Sequence, residues 1–276
     1  MATPFKEHSD EVYREIFLNP IRVCKNYRPK FGQSKNSQGV TLDNFKDLYG
    51  SDPFYAWIGL DSDSMYTAHK AAGGMTSVYR QIGVGCENLF KQIILDNAQY
   101  IDPKLADWSY TTTKTVIKNN QPKQEKRVLK LDGRLEFSEI RNEEVLDALS
   151  EWTKRYCRKI DANLPQNGVV FEVRQGYKSK DSKRQNADIE NASTAWAKGY
   201  LPVFAVFSSQ IDRGNMSRYI NSRAGVLVGV TSSDDLTSLF SFTSRVLHYD
   251  LAGFFERNSA VIKSEVDDTL EQLLSP

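Results

Sequence analysis

Gly168-Val-Val-Phe-Glu-Val-Arg174 decides the fold. It is preceded by Asp161-Ala-Asn-Leu-Pro-Gln-Asn167 and followed by Gln175-Gly-Tyr-Lys-Ser-Lys-Asp-Ser-Lys-Arg-Gln-Asn-Ala-Asp-Ile-Glu190. Branched and aromatic residues dominate residues 168–175, which reads as a strand. Side chains alternate along a strand, so Val169, Phe171 and Val173 share one face, and Val170, Glu172 and Arg174 share the other. Pro165-Gln-Asn-Gly168 is turn chemistry, and Asn-Gly is a strong hairpin signal. Folding the chain about that turn sets Asp161 opposite Glu172. Helical spacing then resumes over residues 182–198.

Working outward, residues 143–160 repeat apolar positions at three and four (Val145, Leu146, Leu149, Trp152, Tyr156, Ile160) and predict a helix. Residues 75–97 do the same, with Gly73-Gly74 as a breaker before them. Gly83 and Gly85 sit awkwardly inside that pattern, each costing about 1 kcal/mol against Ala; they imply a close backbone approach or two helices. Residues 111–118 and 126–133 alternate around Asn119-Asn-Gln-Pro122 and predict a β-hairpin. Residues 201–207 and 225–230 are short, nearly continuous apolar runs, as in strands covered on both faces. Helices close the chain, with Ile262, Val266, Leu270 and Leu273 on one apolar face. The order predicts an α/β fold with a central mixed sheet flanked by helices. An N-terminal arm and helical region over 1–73 would precede a core with C-terminal helices over 74–276.

Fourteen Phe, thirteen Tyr and four Trp in 276 residues supply a sizeable core. Thirty-six basic against 35 acidic residues leave a net charge of +1, so any binding to a polyanion must come from local clustering. One cluster is the arm 21–40, with Arg22, Lys25, Arg28, Lys30 and Lys35, no acid, and Tyr27 and Phe31 interleaved. It fits either a solvated arm or a phosphate-contacting one. Three widely spaced cysteines without a CxxC pair argue against disulfides and structural zinc. With a polar N-terminus and no apolar run of membrane length, a soluble cytoplasmic protein is expected.

A charged pair on a Val/Phe strand is costly unless it is solvated, paired or bound to metal. Two carboxylates facing each other, Asp161 and Glu172, would repel unless a divalent cation lay between them. Hard oxygen ligands suit Mg²⁺, which completes its shell with water and phosphate. A plainer alternative remains open, in which Glu172 and Arg174 form an ion pair and Asp161 only ends the preceding helix. Downstream, Arg174, Lys178, Lys180, Lys183 and Arg184 place five basic residues in eleven, opposed by Asp181 alone. Asp181 or Ser182 can cap the next helix, whose first N–H groups would then face a phosphate. Gln185 and Asn186 can grip backbone oxygens or base edges. Lys183, Asn186 and Glu190 share one helical face, and Ile189, Ala192 and Trp196 the other.

Three motifs together resemble the type II restriction endonucleases of the PD-(D/E)XK nuclease fold. They are Gly85-Cys-Glu87 in an early helix, Asp161 followed by Glu172-Val-Arg174, and the basic run Lys180-Asp-Ser-Lys-Arg-Gln-Asn-Ala-Asp188. The resemblance covers residues 74–230. It implies a restriction-endonuclease-like core and Mg²⁺-dependent, site-specific hydrolysis of phosphodiesters in double-stranded DNA. It also implies a homodimer that cuts both strands of a symmetric site. Asp161 and Glu172 would be the metal ligands, with Glu87, Asp132 and Glu190 as reserve candidates. The chain departs from the family at the lysine, which falls at Arg174. Arginine stays protonated and cannot take a proton, so Lys178 would take the lysine's role while Arg174 orients phosphate. Lys180, Lys183, Arg184, Gln185 and Asn186 would contact DNA.

The alternatives are a repair or transposition nuclease of the same fold, a non-catalytic DNA-binding protein, and an α/β protein without a nucleic-acid partner. No organic cofactor is expected: Gly83-Val-Gly85 lacks a preceding strand and a third glycine in register. His8, His69 and His248 form no metal-spaced cluster, and no GxSxG is present.

Overall fold

The computed structural model describes residues 8–32, 38–118, 121–176 and 182–276. The chain is mixed α/β and carries two sheets. It divides into two compact units, one of Met1–Ser9 with Cys86–Phe255, the other of Asp10–Gly85 with Glu256–Pro276.

The larger unit is built on a four-stranded sheet of order β3-β4-β5-β6, from β3 (Gly133–Glu136), β4 (Gly168–Arg174), β5 (Tyr200–Val206) and β6 (Gly225–Val228). β4, β5 and β6 run parallel and β3 runs antiparallel to β4. Parallel strands require crossovers, and these are α6 (Ser182–Ala197) and α7 (Arg213–Asn221). β5 is buried along its whole length, as its unbroken apolar run predicts. On one face Phe171 packs against Phe90 of α4 (Asp63–Asn97) and Phe242 of α8 (Leu239–Val246). Trp152 of α5 (Glu143–Lys159) packs against the same Phe242. On the other face Ala192, Phe204 and Tyr219 join α6, β5 and α7 in one cluster, where the Phe204 and Tyr219 rings stack 3.8 Å apart. The helix–sheet–helix layering follows from strands that are apolar on both faces.

A second sheet is the two-stranded ribbon of β1 (Trp108–Lys118) and β2 (Gln121–Leu131), the hairpin expected from the alternation. Its base packs on the large sheet through Trp108, Leu131, Val170, Ala195 and Tyr200.

The smaller unit contains α1 (Asp10–Arg22), α2 (Leu42–Gly50), α3 (Pro53–Trp57) and parts of α4 and α9 (Leu251–Leu274). Gly73 and Gly74 do not break α4, which is one helix of 35 residues. The glycines serve close approaches within this unit: a Cβ on Gly85 would lie 2.4 Å from the Phe17 carbonyl oxygen, and one on Gly74 2.5 Å from Leu273 Cδ2. Of the basic arm, Arg22 bonds Glu15 and Glu265, and Lys25 lies 3.4 Å from Glu265. Arg28 and Lys30 instead line a groove with Arg80. Lys35 lies outside the described residues. No helix among the described residues is long and apolar enough to cross a membrane.

Candidate active site

The strand that carries Glu172 pairs with β3, not with a strand ending at Asp161. Gly133 stands opposite Phe171 and Glu136 opposite Gly168, and Asp132 immediately precedes the first paired residue of β3. The Asp132 N–H donates to the Phe171 carbonyl at 2.8 Å, so Asp132 and Gly133 both stand against Phe171, as in a bulge. Asp132 Oδ2 in turn accepts the Val173 N–H at 2.8 Å, which fixes its carboxylate against the end of β4. Asp132 is thus the acid that the fold brings to Glu172.

The expected hairpin about residues 165–168 is corrected by the same register. Asp161 follows α5 with a positive φ of 51° and a fully exposed side chain, and its nearest cation is Arg223 at 3.8 Å. It follows the C-terminus of α5 and is not paired with β4. Asn167-Gly168 does not close a hairpin. Gly168 opens β4 between two strands, where a Cβ would lie 2.0 Å from the Leu135 carbonyl oxygen. Its φ of 150° also suits glycine.

Glu172 is 7% exposed, and Arg174 beside it is half-buried. Arg174 Nη2 bonds the Glu172 carboxylate and also reaches Asp188 Oδ1 of α6 at 3.1 Å. The Tyr219 hydroxyl donates to Asp188 Oδ2 at 2.7 Å. Glu172, Asp188 and Asn191 line a cavity of about 10 Å³ whose other walls include Ala192, Val203 and Phe204. Burial pushes the Glu172 carboxyl up to about 8. Arg174 opposes that shift, while Asp132, Asp188 and Glu87 add to it by like-charge repulsion. Glu87 takes part from α4, where it is half-buried.

The remaining candidates divide by position. Glu190 is exposed on α6. Asn186 is exposed at the start of that helix, and its Oδ1 accepts from Arg218 at 2.9 Å. Lys183, Arg184 and Gln185 lie in the first turn of α6, their side chains outside the described residues, and Lys178 and Lys180 lie outside them altogether. Asp188, Asn191 and Tyr219 are site residues that sequence reasoning missed. The signal for Asp188 was its place at the head of a buried stripe, Asp188-Ala192-Ala195, where an acid needs a partner.

Among the described residues no three His, Cys, Asp or Glu side chains converge into a ready cage for a metal ion. Mg²⁺ requires less, since it is commonly held by one or two carboxylates with water and substrate phosphate completing the shell. Asp132 and Glu172 are the candidate pair of carboxylates here. Comparison with family models, with curated proteins and with solved structures finds no match for this chain.

Proposed function

We propose that the larger unit is a Mg²⁺-dependent endonuclease acting on double-stranded DNA, with a core like that of the type II restriction enzymes. The observation that carries this reading is the adjacency of Asp132 to Glu172-Val-Arg174 across the β3–β4 pair, with Glu87 contributing from a helix. An acid at a strand entry, an acid and a basic residue two apart on the next strand, and an acidic helix reproduce the motif order Asp…Glu-x-Lys that the sequence resembles. Asp132 takes the place first assigned to Asp161.

Asp132 and Glu172 would hold the cation, which when bound supplies Lewis-acid stabilisation of charge on the scissile phosphate. Asp132 is positioned for this by the Val173 N–H, which fixes its carboxylate beside Glu172-Val-Arg174. Glu172 would exchange part of its bond with Arg174 for the cation. Arg174 would stay tied to Asp188 and turn toward a phosphate oxygen. It cannot accept a proton. Deprotonation of the attacking water therefore falls to a carboxylate or to Lys178. A homodimer would present two such sites to the two strands.

Plasmid DNA incubated with the protein and Mg²⁺ or Mn²⁺ tests the reading. Discrete fragments, lost in Asp132→Asn and Glu172→Gln but kept in Asp161→Ala, are the expected result. Binding of duplex without cleavage in either metal would favour the non-catalytic DNA-binding alternative, in which Glu172–Arg174–Asp188 is a structural ion-pair chain. Structure-dependent or random nicking would favour a repair or transposition enzyme.

A further inference from the structure

The β1–β2 ribbon holds eleven paired positions, from Trp108↔Leu131 to Lys118↔Gln121. At about 3.3 Å per residue it extends ~36 Å. Only its base is packed. Opposed residues in an antiparallel pair point to the same side, so one face consists of Thr111, Thr113, Thr115 and Ile117 opposite Val128, Lys126, Gln124 and Pro122. Every one of those eight side chains is exposed, Ile117 to 78% and Val128 to 56%. No third described strand pairs with either edge. A two-stranded ribbon alone is marginal in water, so a ribbon this long with one face wholly uncovered calls for a partner.

The composition names the partner's chemistry. Residues 108–131 contain six Lys or Arg against the single acid Glu125, a local excess of five charges in a chain whose net charge is +1. Thr and Gln supply short hydrogen-bonding groups on the exposed face, and Ile117 and Val128 supply apolar contacts of the kind that meet a thymine methyl. The ribbon also leads straight into Asp132, the next residue after β2. The major groove of duplex DNA is wide enough to admit a two-stranded ribbon.

We propose that the β1–β2 ribbon is a DNA-reading arm that lies in the major groove of the duplex presented to Asp132 and Glu172. Lys126 and Lys130 contact phosphates, and Thr113, Thr115 and Gln124 meet base edges. The choice of duplex DNA rests on the nuclease reading; the ribbon's need for a polyanionic partner does not.

The test measures anisotropy of labelled 30-base-pair duplexes between about 50 and 200 mM salt, with cleavage measured separately on plasmid. Lys126→Gln/Lys130→Gln should weaken binding about tenfold and lower the salt slope by about two. Lys154→Gln, which removes an exposed cation from α5, should leave both unchanged. Thr113→Ala/Gln124→Ala should keep the salt slope and alter the fragment pattern. Thermal melting verifies that each variant is folded; all substituted ribbon positions are exposed. Unchanged affinity and slope in the double lysine variant would overturn the proposal. So would an equal loss in Lys154→Gln, or a preference of the wild type for single strands or for polyglutamate. If the wild type never cuts yet loses duplex binding in the lysine variant, the nuclease reading falls and the arm stands. If cutting persists with binding untouched, the arm falls alone.

Discussion

Replacing Glu172 by Gln should make the metal-free protein more stable, and by an amount that grows with pH. Glu172 is buried among Asp132, Asp188 and Glu87, and its carboxyl is pushed up to about 8 from an unfolded value of 4.5. The folded chain therefore holds a proton between those limits that the unfolded chain has released. Stability from this group is complete below pH 4.5 and is lost as pH rises toward 8, at about 1.4 kcal/mol per pH unit. Over the whole window the loss approaches about 5 kcal/mol, a large share of the 5–15 kcal/mol typical of a domain. Gln resembles the protonated acid and does not ionise, so the variant and wild type should match near pH 4.5 and diverge by pH 8. Urea denaturation in EDTA at pH 5, 6, 7 and 8 reads the gap directly. Mg²⁺ should shrink it by favouring the carboxylate in the folded wild type. A gap that stays flat from pH 5 to 8 would refute the claim that burial, reinforced by the acids around it, holds the Glu172 proton.

Asp161→Ala should leave cleavage unchanged and shift stability by less than about 0.5 kcal/mol, because its side chain is fully exposed; a loss of cutting would return it to the site. Tyr219→Phe removes the hydroxyl that donates to buried Asp188 and should cost about 1–3 kcal/mol in urea denaturation. Gly85→Ala sets two effects against each other. Helix propensity favours Ala by about 1 kcal/mol, while the new Cβ would meet the Phe17 carbonyl oxygen at 2.4 Å. Overpacking of that kind costs about 1–3 kcal/mol, so the Tm should fall, and a rise would mean that the backbone yields there freely.

Local signals carried most of the fold. The helix expected over 182–198 is observed as Ser182–Ala197, the one over 143–160 as Glu143–Lys159, and the two continuous apolar runs became parallel strands. Those elements had strong periodicity or strong apolar continuity, and their neighbours in space were also their neighbours in sequence. What failed was pairing. Asn167-Gly168 looks like a hairpin turn because that dipeptide supplies a positive φ cheaply, yet here the glycine serves close packing of β4 against Leu135. Gly73-Gly74 misled in the same way: a glycine pair can end a helix or admit a neighbour, and Leu273 decides for the second.

The site was legible in its types and not in its geometry. Glu172-Val-Arg174 on an apolar strand announces itself, because a buried charge pair must be answered by something. The answering acid is set by strand order, and strand order is a non-local fact: β3 pairs with β4 across the 31 intervening residues 137–167, which include α5. Asp132 stood in reserve because Leu129-Lys-Leu-Asp132-Gly has no spacing relation to Glu172 until that pairing is known. Asp188 was hidden for a different reason. Helical spacing puts the polar face of α6 through Lys183, Asn186 and Glu190, so an acid on the buried side reads as part of the basic run. Its burial is tolerable only because Arg174 and Tyr219 both bond it. Arg174 therefore answers two acids at once, both through Nη2. The arginine on β4 and the acid on α6 are then one feature: a second buried carboxylate needs a cation within reach, and Arg174 supplies it.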